Sequence, residues 1–299
     1  NFLNRLIFDE IFATLLINSK IRLNARKIKK KEKKFKKNEQ NKIISKIGFN
    51  LTNDQTNAIN EINRDLKSNK KMFRLLQGDV GSGKTVVSLI SSLNVINSGY
   101  QVSFMAPTEI LATQHFNLAK KIFDKKINIQ LLTGKTENKI RKNIIANLKE
   151  KKIDMLIGTH SLFQEKIVYK KLGLVIIDEQ HKFGVKQRKS LSDKGGRYCD
   201  VLVMSATPIP RTMIMTVFGD MDVSIIKDKP KNRKEIKTYS KIDYKIDEII
   251  KFSKKEISKD NQIFWVCPLI EESKKIDHQS AIKKYEYLQK IFPNQVAIL

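Results

Sequence analysis

The feature that most constrains the fold of this chain is a glycine-rich segment at residues 78–85, GDVGSGKT, which follows an apolar run and precedes an amphipathic one. The segment fits the pattern G-x-x-x-x-G-K-[ST] in full. Its glycines let the backbone wrap closely around a phosphate group with N–H groups pointing inward, and the start of the next helix adds partial positive charge. The segment therefore predicts a strand, a phosphate-binding loop and a helix in direct succession.

The residue types of this loop point to a nucleoside triphosphate with a divalent cation. Lys84 is placed to neutralise charge on the β- and γ-phosphates, and Thr85 offers a hydroxyl to Mg²⁺. The other loop residues that we expect to contact the nucleotide are Gly78, Asp79, Gly81, Ser82 and Gly83. ATP and Mg²⁺ are therefore the predicted cofactors, and a chance glycine-rich turn is the alternative interpretation.

Short apolar runs alternate with amphipathic stretches from about residue 49 onward. The runs are MFRLLQ, QVSFMAP, INIQLLT, IDMLIG, LGLVIIDE and DVLVMSAT. Continuous apolar strands that alternate with helices are typical of a parallel sheet covered on both faces, so the pattern predicts a doubly wound α/β domain. A basic linker, KDKPKNRK, follows, and a second pattern of the same kind begins with EIKTYS and continues through QIFWVCP to QVAIL.

Three segments follow from this pattern. We predict a long helix with a basic second half over residues 1–45, a nucleotide-binding α/β domain over residues 46–228, and a linker with the start of a second α/β domain over residues 229–299. The first and last residues of the chain, Asn1 and the QVAIL run, lead us to expect a fragment of a longer protein.

The charge of the chain favours a polyanionic partner. It carries 58 Lys and Arg residues against 31 Asp and Glu residues, a formal net charge of +27, and nucleic acid is the first candidate. The visible richness in Lys, Ile and Asn offers a compositional explanation instead. The most basic run is KIRLNARKIKKKEKKFKK at residues 20–37, for which we expect DNA contact or, as the alternative, a solvated helix face.

Cysteine and histidine usage excludes several classes of protein. Two cysteines cannot form a disulfide scaffold or a four-cysteine zinc site, and the four histidines lack the spacing of metal ligands. A reducing compartment, the cytoplasm, fits the cysteine count best. The longest apolar stretch, at the start of the chain, is interrupted by Arg5, Asp9 and Glu10, so no membrane span is expected.

An acidic pair follows the apolar run LGLVII. Carboxylates at the carboxyl end of a parallel strand face the region where α/β domains bind ligands. Asp178 is placed to hold Mg²⁺, and Glu179 to orient and deprotonate an attacking water molecule. An acidic helix cap is the alternative. His181 lacks partner ligands for a metal and is better interpreted as a hydrogen-bonding coupler between two sites.

A third motif, SATPIPRT at residues 205–212, follows the run DVLVM. Small hydroxyl side chains at a strand end can sense a γ-phosphate through hydrogen bonds, and Ser205 and Thr207 are the candidates. Arg211 lies beside them as a basic candidate for coupling or for a structural ion pair.

Together these motifs resemble the motor of superfamily 2 helicases. Their order along the chain is GDVGSGKT, APTE at 106–109, TG at 133–134, GTH at 158–160, DEQH at 178–181 and SATPIPRT. A closer resemblance, to the RecG family of bacterial branched-DNA helicases, lies in GDVGSGKTVV, IGTHSLFQE, LVIIDEQHKFGVKQR, SATPIPRTM and FWVCPLIEES.

The resemblance implies RecA-like domains that use ATP to translocate on duplex DNA, regress forks and migrate Holliday junctions, as a monomer. It implies that Gln55 reads the adenine edge and that Phe49 stacks on the base. Coupling roles fall on Gln180, His181, Ser205, Thr207 and Arg211. The DNA-facing residues that it implies are Pro107, Thr108, Thr133, Gly134, Thr159 and His160.

Three other functions stay open at this point. The first is a duplex-DNA translocase of the Mfd type, which shares several of the motifs. The second is a non-catalytic remnant that binds nucleotide or DNA. The third is a phosphate-loop kinase, which APTE and SATPIPRT disfavour. The resemblance also implies a wedge domain and later helicase motifs, with an arginine finger, that this sequence lacks. We therefore expect the chain on its own to bind Mg·ATP weakly and to hydrolyse it very slowly.

Overall fold

A computed structural model gives the structure of the chain. It describes residues 2, 5–13, 16, 20, 29–34, 37–123, 126–179, 194–207, 221–228, 236–242, 245–267 and 281–298. The chain divides into two compact units, Asn1–Arg233 and Lys234–Leu299. None of the helices in the described part of the chain has the length and apolar character that crossing a bilayer requires.

The first unit is built on a seven-stranded sheet. Its strands are β1 (Phe73–Gly78), β2 (Gln101–Met105), β3 (Ile129–Leu132), β4 (Met155–Gly158), β5 (Leu172–Ile177), β6 (Asp200–Ser205) and β7 (Asp222–Ile226). They lie in the order β3-β4-β2-β5-β6-β1-β7, and every pairing is parallel. The predicted doubly wound parallel sheet is confirmed, and β7 is an edge strand that the sequence analysis did not predict.

Helices flank this sheet. They are α1 (Lys37–Lys46), α2 (Asn53–Lys67), α3 (Lys84–Asn97), α4 (Glu109–Phe123) and α5 (Asn138–Lys149), with short 3₁₀ turns at His160–Phe163 and Gly196–Tyr198. Side chains alternate across the sheet, so that Leu76 packs in the core on one face and Leu75 in the core on the other. Both side chains are completely buried, as continuous apolar strands predict.

The basic run near the start is not one continuous helix. Residues 5–13 are helical, but residues 29–34 are extended, so the helix predicted over residues 1–45 is wrong at this segment. The main chain of the segment bonds instead to α2 and the residues after it, with Lys30 N donating to Asn69 O (2.6 Å) and Lys33 N to Leu66 O (3.2 Å). The buried ammonium groups of both lysines pair with Asp200, the first residue of β6. This long-range pairing outweighs the local preference for a helix.

In the described residues of the second unit there are two helices, α6 (Ile246–Ile257) and α7 (Ala281–Ile291), which fit the alternating pattern expected there. A small apolar cluster of Ile250, Leu288 and Phe292 joins them. The strands predicted at EIKTYS, QIFWVCP and QVAIL do not form in the described part of this unit, where residues 236–242, 261–267 and 295–298 carry no strand. A parallel strand needs a hydrogen-bonded neighbour, and these segments are not paired in a ladder.

Candidate nucleotide site and nucleic-acid interface

The carboxyl edge of the sheet brings the predicted motifs together in two groups. Strands β1, β6 and β5 are adjacent, and the phosphate loop, the SAT segment and the acidic pair follow them. Strands β2, β4 and β3 are also adjacent, and the APT, GTH and TG segments follow them. The carboxyl ends of parallel strands share one edge, so the two groups lie side by side. We call the first the nucleotide-type group, since its motifs are those predicted to bind ATP, and the second the nucleic-acid-type group, since its motifs are those predicted to face DNA.

The phosphate loop has the backbone that its glycines predict. Gly81 and Gly83 have left-handed conformations, with φ of 77° and 89°, and α3 begins at Lys84 immediately after them. A Cβ at Gly83 would lie 2.4 Å from Gln55 Nε2. Gly83 is therefore required both by the backbone conformation and by the close approach of a neighbouring side chain.

Gln55 braces this loop from the side. Its Nε2 donates to Ser82 O (2.8 Å), and its Oε1 accepts from Thr52 N (3.0 Å). Thr52 and Gln55 also form the capping box that begins α2. The side chain of Gln55 is buried and already satisfied by the protein, while Phe49, just before the capping box, is about half exposed.

Lys84 lies inside the loop. Its Nζ donates to Gly78 O (2.7 Å) and to Asp79 O (3.0 Å). Burial lowers the pKa of Lys84, while the charges of Glu179, Asp178 and Asp79 act in the opposite direction. The electrostatic surroundings of the ammonium group therefore come from the two motifs that the sequence analysis placed at the same site.

One polar atom of the loop fits a phosphate ligand. Ser82 Oγ is buried and has no hydrogen-bond partner among the described residues. An unpaired buried hydroxyl is costly, so this one suits a ligand whose oxygens can accept its hydrogen bond. The residues present therefore fit a bound nucleotide phosphate.

The acidic pair is held in a defined geometry. Asp178 is buried; its Oδ1 accepts from Glu179 N (3.0 Å), and its Oδ2 accepts from His115 Nε2 (2.7 Å). Glu179 has a positive φ of 48°, an uncommon conformation for a residue other than glycine. Ala206 N points at Glu179 Oε2 from 3.5 Å, which connects the acidic pair to the segment after β6.

His115 is a site residue that the sequence analysis missed. It lies on the buried face of α4 with Ala112 and Ala119, and its ring centroid is 4.8 Å from that of Phe104. Beyond its lack of metal-ligand spacing, His115 was given no role from the sequence. The helical spacing of His115 between two buried alanines is the signal that could have placed it against the sheet.

The hydroxyl groups of Ser205, the last residue of β6, and of Thr207 lie close to each other and next to β1. Ser205 Oγ and Thr207 Oγ1 lie 3.0 Å apart, and Gln77 Nε2 approaches Thr207 O at 3.5 Å. The three other residues predicted to couple the sites, Gln180, His181 and Arg211, lie outside the described residues.

The segments after β2, β3 and β4 are tied to one another. Arg141, on α5, donates from Nη2 to Thr133 O (2.8 Å) and from Nη1 to Gln164 Oε1 (3.1 Å). Ser161 Oγ donates to Leu132 O (2.8 Å). Glu109 Oε1 accepts from Lys135 N (3.2 Å), the residue after Gly134. These bonds hold three loops as one surface.

The residues predicted to face DNA differ in exposure. Thr108 and His160 are exposed, Pro107 is half-buried, and Thr133 and Thr159 are buried. Thr108 Oγ1 accepts from Leu111 N (3.3 Å) at the start of α4, so this side chain caps the helix.

Thr85 and Asp178 are the residues that could hold Mg²⁺. Thr85 lies in the first turn of α3 and Asp178 follows β5 on the same edge of the sheet. No group of three or more His, Cys, Asp or Glu side chains in the described part of the chain could hold a metal by itself. This donor set suits Mg²⁺, which keeps several waters and takes ligands from substrate phosphates.

Comparison with known proteins gives consistent results. Residues 52–216 match the family model of DEAD/DEAH box helicases. The ATP-dependent DNA helicase RecG of Aquifex aeolicus is 46% identical over 301 residues, which cover 99% of this chain and 38% of that protein. RecG of Bacillus subtilis is 48% identical over 260 residues, or 87% of this chain and 38% of that protein.

A solved structure of RecG bound to a three-way DNA junction matches with a TM-score of 0.80 and 40% identity, over 96% of this chain and 38% of that one. The resemblance to RecG expected from the motifs is thereby confirmed. The chain spans less than two fifths of the length of these relatives.

Proposed function

The chain belongs to the DEAD/DEAH box helicase family, and from this we propose that it is the ATP-binding motor portion of a helicase that remodels branched DNA. Action on fork and junction DNA, in recombination and repair, is part of this proposal. The observation that carries it is the grouping of six motifs at one edge of one parallel sheet, with a nucleotide-type group beside a nucleic-acid-type group. Residues 46–228 form the proposed first motor lobe and residues 229–299 the proposed start of the second.

The loop residues would bind the phosphates of ATP. Lys84 Nζ would give up its hydrogen bonds to the carbonyl oxygens of Gly78 and Asp79 and donate to phosphate oxygens instead. The free-energy cost would be small because Nζ already lies at the loop. The backbone N–H groups of Gly81 and of Gly83 to Thr85, and the unpaired hydroxyl of Ser82, would donate to the same phosphates.

Thr85 and Asp178 would hold Mg²⁺, which stabilises the negative charge that develops on the transferred phosphoryl group. His115 is a positioning residue here, since its hydrogen bond leaves Asp178 Oδ1 and Oδ2 in a set orientation. Glu179 would orient a water molecule for attack and accept its proton. Its contact with Ala206 gives the segment with Ser205 and Thr207 a direct connection to that step.

Gln55 acts in this proposal first as a brace of the phosphate loop. Both ends of its amide bond to the protein, to Ser82 and to Thr52. The adenine contact that the resemblance implies for Gln55, and the stacking role of Phe49, stay predictions. A loss of Gln55 would change loop shape whether or not it touches the base.

DNA would lie across the segments after β2, β3 and β4. The exposed residues that could contact its backbone are Thr108, Gly134 and His160, while Thr133, Thr159 and Pro107 shape the loops that present them. The coupling roles of Gln180, His181 and Arg211, a monomeric state and a cytoplasmic location stay predictions.

The test is a steady-state ATPase assay with and without three-way junction DNA. It uses the chain and a version extended by the flanking sequence of its reading frame, each beside Lys84→Ala. Hydrolysis in the extended protein that is stimulated by junction DNA, and lost in Lys84→Ala, supports the proposal. Hydrolysis that responds equally to linear duplex favours an Mfd-type translocase, and the absence of hydrolysis in the extended protein contradicts a motor function.

A further inference from the structure

A cavity of about 580 Å³ lies at the amino edge of the sheet, the edge opposite the nucleotide site. Segments that lead into β2, β5 and β6 line it together with the extended segment 29–34. Strand β6 connects the two edges, from Asp200 beside the cavity to Ser205 beside the proposed nucleotide site, a distance of roughly 17 Å at 3.3 Å per residue. The cavity is therefore separate from the site already described.

The lining of the cavity is strongly basic. Seven of its twelve lining residues are lysines, from three separate parts of the sequence. Two of them, Lys30 and Lys33, share the single carboxylate of Asp200, which leaves one positive charge in excess. Two others, Lys170 and Lys171, are exposed at the start of β5. With Lys29 and Lys31, which are exposed too, they place several positive charges around one concavity, and these charges would attract an anion.

Aromatic rings lie among these lysines. The ring centroid of Tyr100 is 4.4 Å from Lys171 Nζ and 5.4 Å from Lys33 Nζ. A Cβ at Gly173 would lie 2.6 Å from Tyr100 Cβ, so the glycine makes room for this tyrosine beside β5. The side chain of Tyr198 is 61% exposed at the same cavity, where its ring is accessible from solvent.

We propose that this cavity is a second DNA contact, which binds an unpaired strand through its phosphates and through stacking on Tyr198. Lysines that follow a backbone, combined with an exposed aromatic ring, are the chemistry by which proteins hold single strands without sequence preference. The cavity volume falls in the range of sites that bury small ligands, which suits one part of a strand rather than a duplex. The inference shares with the proposed function the premise that DNA is the partner.

The direct test is photochemical crosslinking of the whole chain to a single strand of about 12 nucleotides that carries 5-iododeoxyuridine. Mass spectrometry of the digested product is expected to locate the crosslink at Tyr198 or in the segment around Tyr100. Crosslinks confined to the loops after β2, β3 and β4 would overturn the inference.

Binding of the same strand to charge variants tests the lysines. Lys170→Glu with Lys171→Glu is expected to weaken binding of the strand at least about tenfold. The slope of log affinity against log salt concentration should also fall, by about one released ion per lost phosphate contact. The matched control, Lys121→Glu with Lys126→Glu, makes the same charge change at exposed positions that do not line the cavity. Equal losses in both variants would show a general charge effect and contradict a site.

Two further arms separate the possible sources of failure. Thymidine 3′,5′-bisphosphate is expected to compete poorly with the strand; full displacement by this mononucleotide at similar concentration would identify a free-nucleotide site and overturn the strand proposal.

Junction-stimulated ATPase of the extended protein that persists without any cavity crosslink would reject this inference alone, while a chain and an extended protein that bind no DNA would reject it together with the proposed function. Thermal unfolding midpoints of all variants check that each one folds.

Discussion

His115 Nε2 lies 2.7 Å from Asp178 Oδ2, so a histidine on the first two turns of α4 holds the carboxylate that follows β5. Both side chains are buried, and the histidine ring also packs against Phe104. The bond joins the helix that begins in the nucleic-acid-type group of loops to a residue of the nucleotide-type group. Its loss should therefore affect the chemistry more than the fold.

We expect His115→Ala to lower kcat of the Mg·ATPase of the extended protein about 10- to 100-fold, the usual effect of removing a residue that orients a metal ligand. The Mg²⁺ concentration for half-maximal activity should rise in the same variant. His115→Gln keeps an N–H donor and should recover part of both. If the two variants lose activity equally and leave the Mg²⁺ dependence unchanged, His115 has only a structural role.

Gly83→Ala should abolish nucleotide binding and destabilise the first unit. The alanine would have to adopt a φ of 89°. Its Cβ would lie only 2.4 Å from Gln55 Nε2, so the Gln55 side chain would have to move. Gly48→Ala is the matched control, since Gly48 has a φ of 81° and a Cβ there would meet no atom within 4 Å. Each substitution costs about 1–3 kcal/mol in backbone strain, and only Gly83→Ala should also remove binding of a fluorescent ATP analogue.

Asp200→Asn should destabilise the chain by about 3–5 kcal/mol, because it leaves two buried ammonium groups without a counter-charge. Chemical denaturation measures the free energy of unfolding. Glu150→Gln removes the carboxylate of an exposed pair with Lys152 and should leave that free energy nearly unchanged. A small effect of Asp200→Asn would mean that Lys30 and Lys33 do not depend on this carboxylate.

Arg141→Ala should weaken DNA binding while ATP binding is retained. The guanidinium group bonds Thr133 O and Gln164 Oε1 at once, and hydrogen bonds from a charged group contribute about 1.5–3 kcal/mol each. If the variant loses about 1.5 kcal/mol of the free energy that keeps these loops ordered, junction DNA should bind roughly tenfold more weakly. Arg141→Lys cannot reproduce the two-pronged geometry and should behave like the alanine variant. Unchanged DNA binding would separate these loops from the DNA path.

The two cysteines should differ in reactivity. Burial raises the pKa of the Cys199 thiol to about 12, so this thiol stays protonated and unreactive up to strongly alkaline pH while the chain is folded. Cys267 is only half-buried. A thiol reagent should therefore modify Cys267 alone in the native chain and both cysteines in denaturant, and Cys267→Ser should leave the native chain unreactive. Native modification of Cys199 would contradict its burial.

Local sequence was sufficient for the parts of this structure that depend on local rules. The phosphate loop, the six strands β1 to β6 and the carboxyl-edge location of Asp178 and Ser205 follow from apolar runs that end at glycine, acidic or hydroxyl residues. The doubly wound parallel sheet followed from the alternation of such runs with helices, and its RecA-like character from the resemblance to helicases. Edge strand β7 was not predicted because its side chains are only partly buried and its residues do not form a continuous apolar run.

The features that local sequence did not predict depend on residues far apart in the chain. Lys30 and Lys33 are extended because Asp200, about 170 positions away, accepts their charge. His115 gains its role only when β5 brings Asp178 to α4. The strands expected after residue 234 lack paired neighbours in the described part of the second unit, and no local pattern can supply a neighbour.

The position of α4 has a mechanical consequence. The helix starts beside Thr108, in the loop proposed to meet DNA, and reaches His115 seven residues later, about 10 Å along its axis. A pull on a strand at the start of this helix would therefore reach the Asp178 carboxylate through one stiff element, with no flexible joint between them. In the proposed motor, force on the bound DNA would therefore alter ATP hydrolysis as well as movement.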